Sequence, residues 1–208
     1  MNDLSSNFSP EQASNALARL KAGNHRFLTD DTLVPTLEMS LLEQQAHSQE
    51  PYATILGCSD SRVPPELVFD AWLGELFVVR VAGNVLDESV LGTLQYAARH
   101  LHTPLYVVMG HEGCGAVQAA IAYRFNGTRQ AQRIESLLEH IAPALDGLDA
   151  HHCTASQMTA AVEANVRKTV KELAQSPEGK IQLARGVKLM GAVYELKTGR
   201  VRFLDINA

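Results

Sequence analysis

The chain has 208 residues, 46% of them hydrophobic and 20% charged, with a net charge of -5 and three cysteines. That length suffices for one domain, residues 1–208, with a substantial core, and the apolar content excludes a disordered chain. The mild acidity, without a run of like charge, excludes the electrostatic footprint of a nucleic-acid or anionic-membrane binder. No apolar span approaches the roughly 18 residues of a membrane helix, and the N-terminus lacks the basic and apolar regions of a secretory signal. An odd cysteine count in a chain of this size is not a disulfide framework, so a reducing, cytoplasmic setting is expected.

In chain order, Ser9-Pro10-Glu11-Gln12 is a helix start: Ser at the N-cap, Pro in the first turn, and Gln three residues on to close a capping box. Ala13, Leu17, Leu20 and Phe27 continue it as a stripe ending near Leu28. Its modest apolar face predicts an arm packing on something else, such as another subunit, and residues 1–48 are read as an N-terminal helical arm. A second short helical pattern covers 37–47. Residues 52–57 read as a buried strand, the loop 58–65 follows, and Pro64-Pro65 restarts a short helix at 66–69. Residues 76–82 form a continuous apolar run broken by Arg80, the pattern of a strand buried on both faces. Residues 87–102 are helical, 105–110 a third buried strand, and 116–125, 134–145 and 156–174 helical. Residues 187–196 and 201–206 close the chain as a strand pair about the turn Lys197-Thr198-Gly199.

Strands alternating with helices predict an α/β fold: a mainly parallel central β-sheet flanked by helices, with the N-terminal helical arm and an additional C-terminal strand pair. In such sheets the ligand site lies beyond the carboxyl ends of the strands. Two loops there carry chemistry, Cys58-Ser59-Asp60-Ser61-Arg62 and His111-Glu112-Gly113-Cys114-Gly115. Taken singly, each cysteine reads as a small buried hydrophobe and His111 as a hydrogen-bonded strand-end residue. Taken together, two thiolates and an imidazole are a zinc-ligand set whose fourth position stays open, the catalytic arrangement. A structural zinc would need Asp60 or Cys153 as fourth ligand; Cys153, after His151-His152 in a helix connection, is read as a non-ligand. Gly113 and Gly115 allow tight turns and remove side chains that would crowd the metal. Two thiolates cancel the zinc charge, so Asp60 can orient a zinc-bound hydroxide while Arg62 keeps Asp60 ionised and off the metal. The chemistry so derived is attack of zinc hydroxide on a small electrophile.

These two motifs, Cys58-Ser-Asp60-Ser-Arg62 and Gly110-His111-x-x-Cys114-Gly115, resemble those of the β-class carbonic anhydrases, and the likeness runs from about Ser9 to Asp205. The resemblance implies reversible hydration of CO2 to bicarbonate and a proton by a zinc lyase. It implies one zinc ion per subunit on Cys58, His111 and Cys114, with Asp60 and Arg62 as catalytic dyad. Gln49, Phe77 and Tyr96 match the substrate pocket, often contributed by a neighbouring subunit, and Gly115 is counted with them as substrate-binding. From the residues alone, Gln49 is a surface residue and Phe77 and Tyr96 are core. The resemblance implies a homodimer or homotetramer with sites near the dimer interface, and residues 49–208 as the zinc-binding core. Relatives hydrolysing carbonyl sulfide or carbon disulfide are the alternative, and a non-catalytic zinc-binding module is a further one. A subclass of the family is gated by bicarbonate bound to a Trp, an Arg and a Tyr. Arg80 and Tyr194 match the last two, but Ile55 stands at the Trp position, so this chain is expected to lack that gate.

Overall fold

In the computed structural model, which describes residues 7–33, 42–43, 45–148 and 154–206, the elements follow the sequence closely. They are α1 (Pro10–Leu28), β1 (Ala53–Gly57), α2 (Pro65–Val68), β2 (Leu76–Arg80), α3 (Glu88–His100), β3 (Leu105–His111), α4 (Gly115–Asn126), α5 (Gln132–Ile141), α6 (Ala155–Gln175), α7 (Pro177–Ala184), β4 (Lys188–Tyr194) and β5 (Val201–Leu204). Short 3-10 turns at Ala82–Asn84 and Ala142–Leu145 follow β2 and α5. The sheet order is β2-β1-β3-β4-β5. The β1–β2, β1–β3 and β3–β4 pairs are parallel, and β5 runs antiparallel to β4 as the closing pair.

Strand alternation builds a layer on each side of this sheet. On one side Ile55 of β1 and Leu105, Val107 and Met109 of β3 meet Leu20 of α1 and Phe69 beside α2. On the other, Leu56, Tyr106 and Val108 meet Leu94 of α3, Ile121 of α4, Leu138 and Ile141 of α5, and Val162 and Val166 of α6. Both faces are covered, which is why β1 and β3 read as unbroken apolar runs.

Both helix starts carrying a Ser/Thr–x–x–Gln signature, at Ser9 and Thr154, form complete capping boxes. Such an N-cap is worth about 1 kcal/mol. The helix at α7 is an addition to the sequence reading. Its signal was a serine N-cap without the box: Ser176 accepts from Gly179 N–H, with Pro177 in the first turn.

One expectation changes. The run 76–82 is not a strand buried on both faces: β2 is a sheet edge, with Phe77 and Val78 half-buried and Arg80 exposed. Apolar periodicity reports a buried neighbourhood but not a strand's place in the order. The helix α1 also lies against its own chain: Ala13, Ala16, Leu20, Gly23 and Asn24 are buried. Asn24 Nδ2 donates to Val68 O (3.1 Å) and Gly199 O (2.8 Å), and its Oδ1 accepts from Val201 N–H (2.9 Å). A single buried amide thus ties α1 to α2 and β5. The helical pattern at 37–47 falls mostly outside the described residues, as do His151, His152 and Cys153.

The placement of α6 matters most for the site. It crosses β3 and β4 where both lack a side chain: a Cβ at Gly110 would come 2.7 Å from Val166 Cγ2, and one at Gly191 2.8 Å from Val166 Cγ1. Gly191→Ala, which must displace a β-branched neighbour, should therefore cost about 1–3 kcal/mol. A lowered urea midpoint with unchanged m-value checks it.

Candidate metal centre

β1 and β3 are adjacent parallel strands, with Gly57 opposite Met109, so Cys58 and His111 emerge side by side at their carboxyl ends. The chain leaves β1 for β2 on one side and continues to β4 on the other, making β1/β3 the topological switch point where such sheets bind ligands. After β3, Gly113 takes a left-handed turn (φ 63°) that brings Cys114 back as the N-cap of α4. The ligand atoms of Cys58, His111 and Cys114 all lie within 4.8 Å of one another, and all three residues are buried.

The donor chemistry suits a metal. The His111 Nδ1 lies 3.0 Å from Glu112 O, which assigns the ring proton to Nδ1 and leaves a lone pair on Nε2. That Nε2 is buried without a hydrogen-bond partner. The two sulfurs are 3.9 Å apart. With Cys114 as donor, the Cys58 thiol is driven down by this contact, and further by His111 and the Gly83 amide, against the cost of burial. Cys114 is driven up, first by the same hydrogen bond and then by burial. The pair thus favours sharing one proton, which a divalent cation bound there would displace, as metal binding to thiols requires.

Beside the cluster, Arg62 embraces Asp60. Its N–H and Nε donate to Oδ1 at 3.0 and 2.9 Å, and Nη2 donates to Oδ2 at 2.7 Å. Oδ2 also lies 3.8 Å from His111 Nε2. Arg62 holds the Asp60 carboxyl well below the usual carboxylate range, the side-chain hydrogen bonds outweighing partial burial. Arg80 reaches the same loop, donating from Nε to Cys58 O (3.0 Å) and from Nη2 to Asp60 O (2.5 Å).

Of the remaining sequence candidates, Gly115 opens α4 next to Cys114. Apart from its chain neighbours and its own helix backbone, a Cβ there would meet no atom of the described residues within 4 Å, so crowding by them does not explain that glycine. Gln49, Phe77 and Tyr96 are not gathered to the cluster within this chain. Gln49 is exposed ahead of β1. Phe77 pairs with Thr54, four residues up-strand of Cys58, a separation of roughly 13 Å at about 3.3 Å per residue. Tyr96 of α3 stacks on Phe77 at 6.3 Å and is 51% exposed. Ile55 is fully buried and Tyr194 is buried on β4. Sequence reasoning missed Gly83, whose N–H donates to Cys58 Sγ at 3.4 Å, and Asn165, which donates to Gly83 O. Neither carries a local motif.

A pH prediction follows from the Asp60 pair. Because the folded carboxyl is depressed, its stabilising contribution is present above the ordinary carboxylate pKa and is lost as pH falls through the folded value. A carboxyl-carbon NMR titration should therefore find Asp60 still ionised at about pH 4, a typical carboxylate pKa. In Arg62→Ala the titration should move up toward that ordinary value.

The protein-family model described as "Carbonic anhydrase" matches residues 53–201. Carbonic anhydrase 2 of Mycobacterium tuberculosis is 38% identical over 193 residues, covering 89% of this chain and 90% of that protein. Carbonic anhydrase of Mycolicibacterium smegmatis is 36% identical over 184 residues, covering 88% of each. Among solved structures, the β-carbonic anhydrase of Coccomyxa in complex with acetazolamide superposes with a TM-score of 0.70 at 28% identity, covering 98% of this chain and 87% of that one. The β-carbonic anhydrase CcaA gives 0.73 at 27% identity over 91% and 95%. The chain belongs to the β-class carbonic anhydrase family.

Proposed function

We propose that this protein catalyses the reversible hydration of CO2 to bicarbonate and a proton, with one zinc ion held by Cys58, His111 and Cys114. The observation that carries the reading is an open, buried Cys–His–Cys cluster with an ionised carboxylate 3.8 Å from its imidazole. Three donors match a catalytic zinc site, which keeps its fourth position for water or substrate. Zinc there supplies Lewis acidity, bringing the ionisation of a water molecule toward neutral pH.

The chain's own residues supply the rest. Asp60, kept ionised by Arg62, is an acceptor at any physiological pH. It takes a hydrogen bond from the attacking oxygen and so turns that oxygen's lone pair toward CO2. The Arg62 fork occupies both carboxylate oxygens and restrains Asp60 from closing on the metal. Arg80, donating to two main-chain carbonyls, holds the Cys58–Asp60 loop. Ile55, buried in the core where the gated subclass carries its Trp, supports the absence of a bicarbonate gate. Crystals near pH 7 with Asp60 on zinc and bicarbonate beside Arg80 would overturn that part.

The reading includes assembly of at least two copies. Gln49, Phe77 and Tyr96 lie away from their own cluster, β2 is a sheet edge among the described residues, and Tyr96 is exposed beside it, as expected of residues that complete a neighbour's pocket. Light scattering should give a dimer or tetramer, and Tyr96→Arg should lower the assembly state and CO2 hydration together.

Stopped-flow hydration with metal analysis tests the chemistry. Asp60→Asn should lose about 100-fold or more in kcat/KM, the scale of a misplaced proton acceptor, while retaining zinc. Cys58→Ala or His111→Ala should lose the metal too. Absence of zinc-dependent CO2 hydration, with sulfide release from carbonyl sulfide, would reverse the assignment.

A further inference from the structure

The chain leaving β2 bends through two consecutive left-handed residues, Gly83 (φ 71°) and Asn84 (φ 44°). The bend aims the Gly83 N–H at Cys58 Sγ, 3.4 Å away, and leaves the Gly83 carbonyl facing α6. There Asn165, 1% exposed, donates from Nδ2 to that carbonyl at 2.8 Å. An asparagine buried on a helix whose neighbouring buried positions are Val162 and Val166 is costly unless its amide is used. The bend is also crowded: a Cβ at Gly83 would lie 2.7 Å from Ile141 Cδ1. The turn therefore has a defined place between α5 and α6, and Asn165 is the side chain that bonds its carbonyl.

We propose that Asn165 is a positioning residue for the metal centre: by bonding the Gly83 carbonyl it keeps the Gly83 N–H on the Cys58 sulfur. The inference rests on Cys58 being a metal ligand. Its consequence is electronic. Two thiolates neutralise a divalent zinc, and an N–H···S hydrogen bond draws charge back from one of them, leaving the metal a stronger Lewis acid. Partners in this outer layer typically change metal affinity or activity by about 10–100-fold.

Two measurements use the unmodified protein loaded with NMR-active cadmium. The Gly83 amide proton should couple to the metal through the hydrogen bond to sulfur. The Asn165 side-chain nitrogen should couple to the Gly83 carbonyl carbon. A third uses Asn165→Leu, of the same side-chain branching, loaded with cobalt. Its sulfur-to-cobalt charge-transfer band should move to lower energy, and metal retention against a chelator should fall by about tenfold or more. Absence of either coupling overturns the proposal, as does a folded Asn165→Leu with unchanged band and retention. Should Asn165→Leu fail to fold, the two couplings decide. Failure of the ligand reading is distinguishable, because the Cys58 β-protons then show no coupling to cadmium at all.

Discussion

Two buried sulfurs and a buried imidazole nitrogen meet beyond the ends of two parallel strands. Burying such groups is unfavourable unless something compensates them, because a thiolate without a counter-charge loses its hydration and a ring nitrogen its hydrogen bond. The rest of the structure is arranged around that constraint. The switch point between β1 and β3 places Cys58 and His111 together, the Gly113 turn returns Cys114, and the Glu112 carbonyl sets the tautomer that points Nε2 inward. A divalent cation bound there would satisfy all three at once.

The next layer is made of main chain as much as side chain. Arg80 is bound to the carbonyls of Cys58 and Asp60, and Asp60 is bound to the main-chain N–H and the guanidinium of Arg62. The loop between Cys58 and Arg62 is therefore held at both its carbonyls and its carboxylate. A loop so restrained keeps one carboxylate orientation, which matters more for an acceptor than proximity alone. The close passage of α6 over Gly110 and Gly191 belongs to the same layer, since it carries Asn165 to the turn behind Cys58.

The edge at β2 links fold and function differently. A central strand would have buried Phe77 within this chain's own core. As an edge, β2 leaves Phe77 half-buried under an exposed Tyr96, which in turn packs on His100 at 4.6 Å. An exposed Tyr96 over a half-buried Phe77 at a sheet edge is the kind of surface a second copy covers.

The sequence by itself determined the alternation of strands and helices, the capping box at Ser9, and the two loops that carry Cys58, Asp60, Arg62, His111 and Cys114. Those features are local: periodicity, cap chemistry and short motif spacing are written within a few residues of one another. Only the tertiary structure decided that β2 is an edge, that α1 lies on its own sheet through Asn24, and that Gly83 and Asn165 stand behind Cys58. Each of these depends on a contact between residues far apart in the chain, 82 positions for Asn165 and Gly83. A long-range contact of that kind leaves no periodicity in the sequence, because its partners are matched by packing and not by spacing.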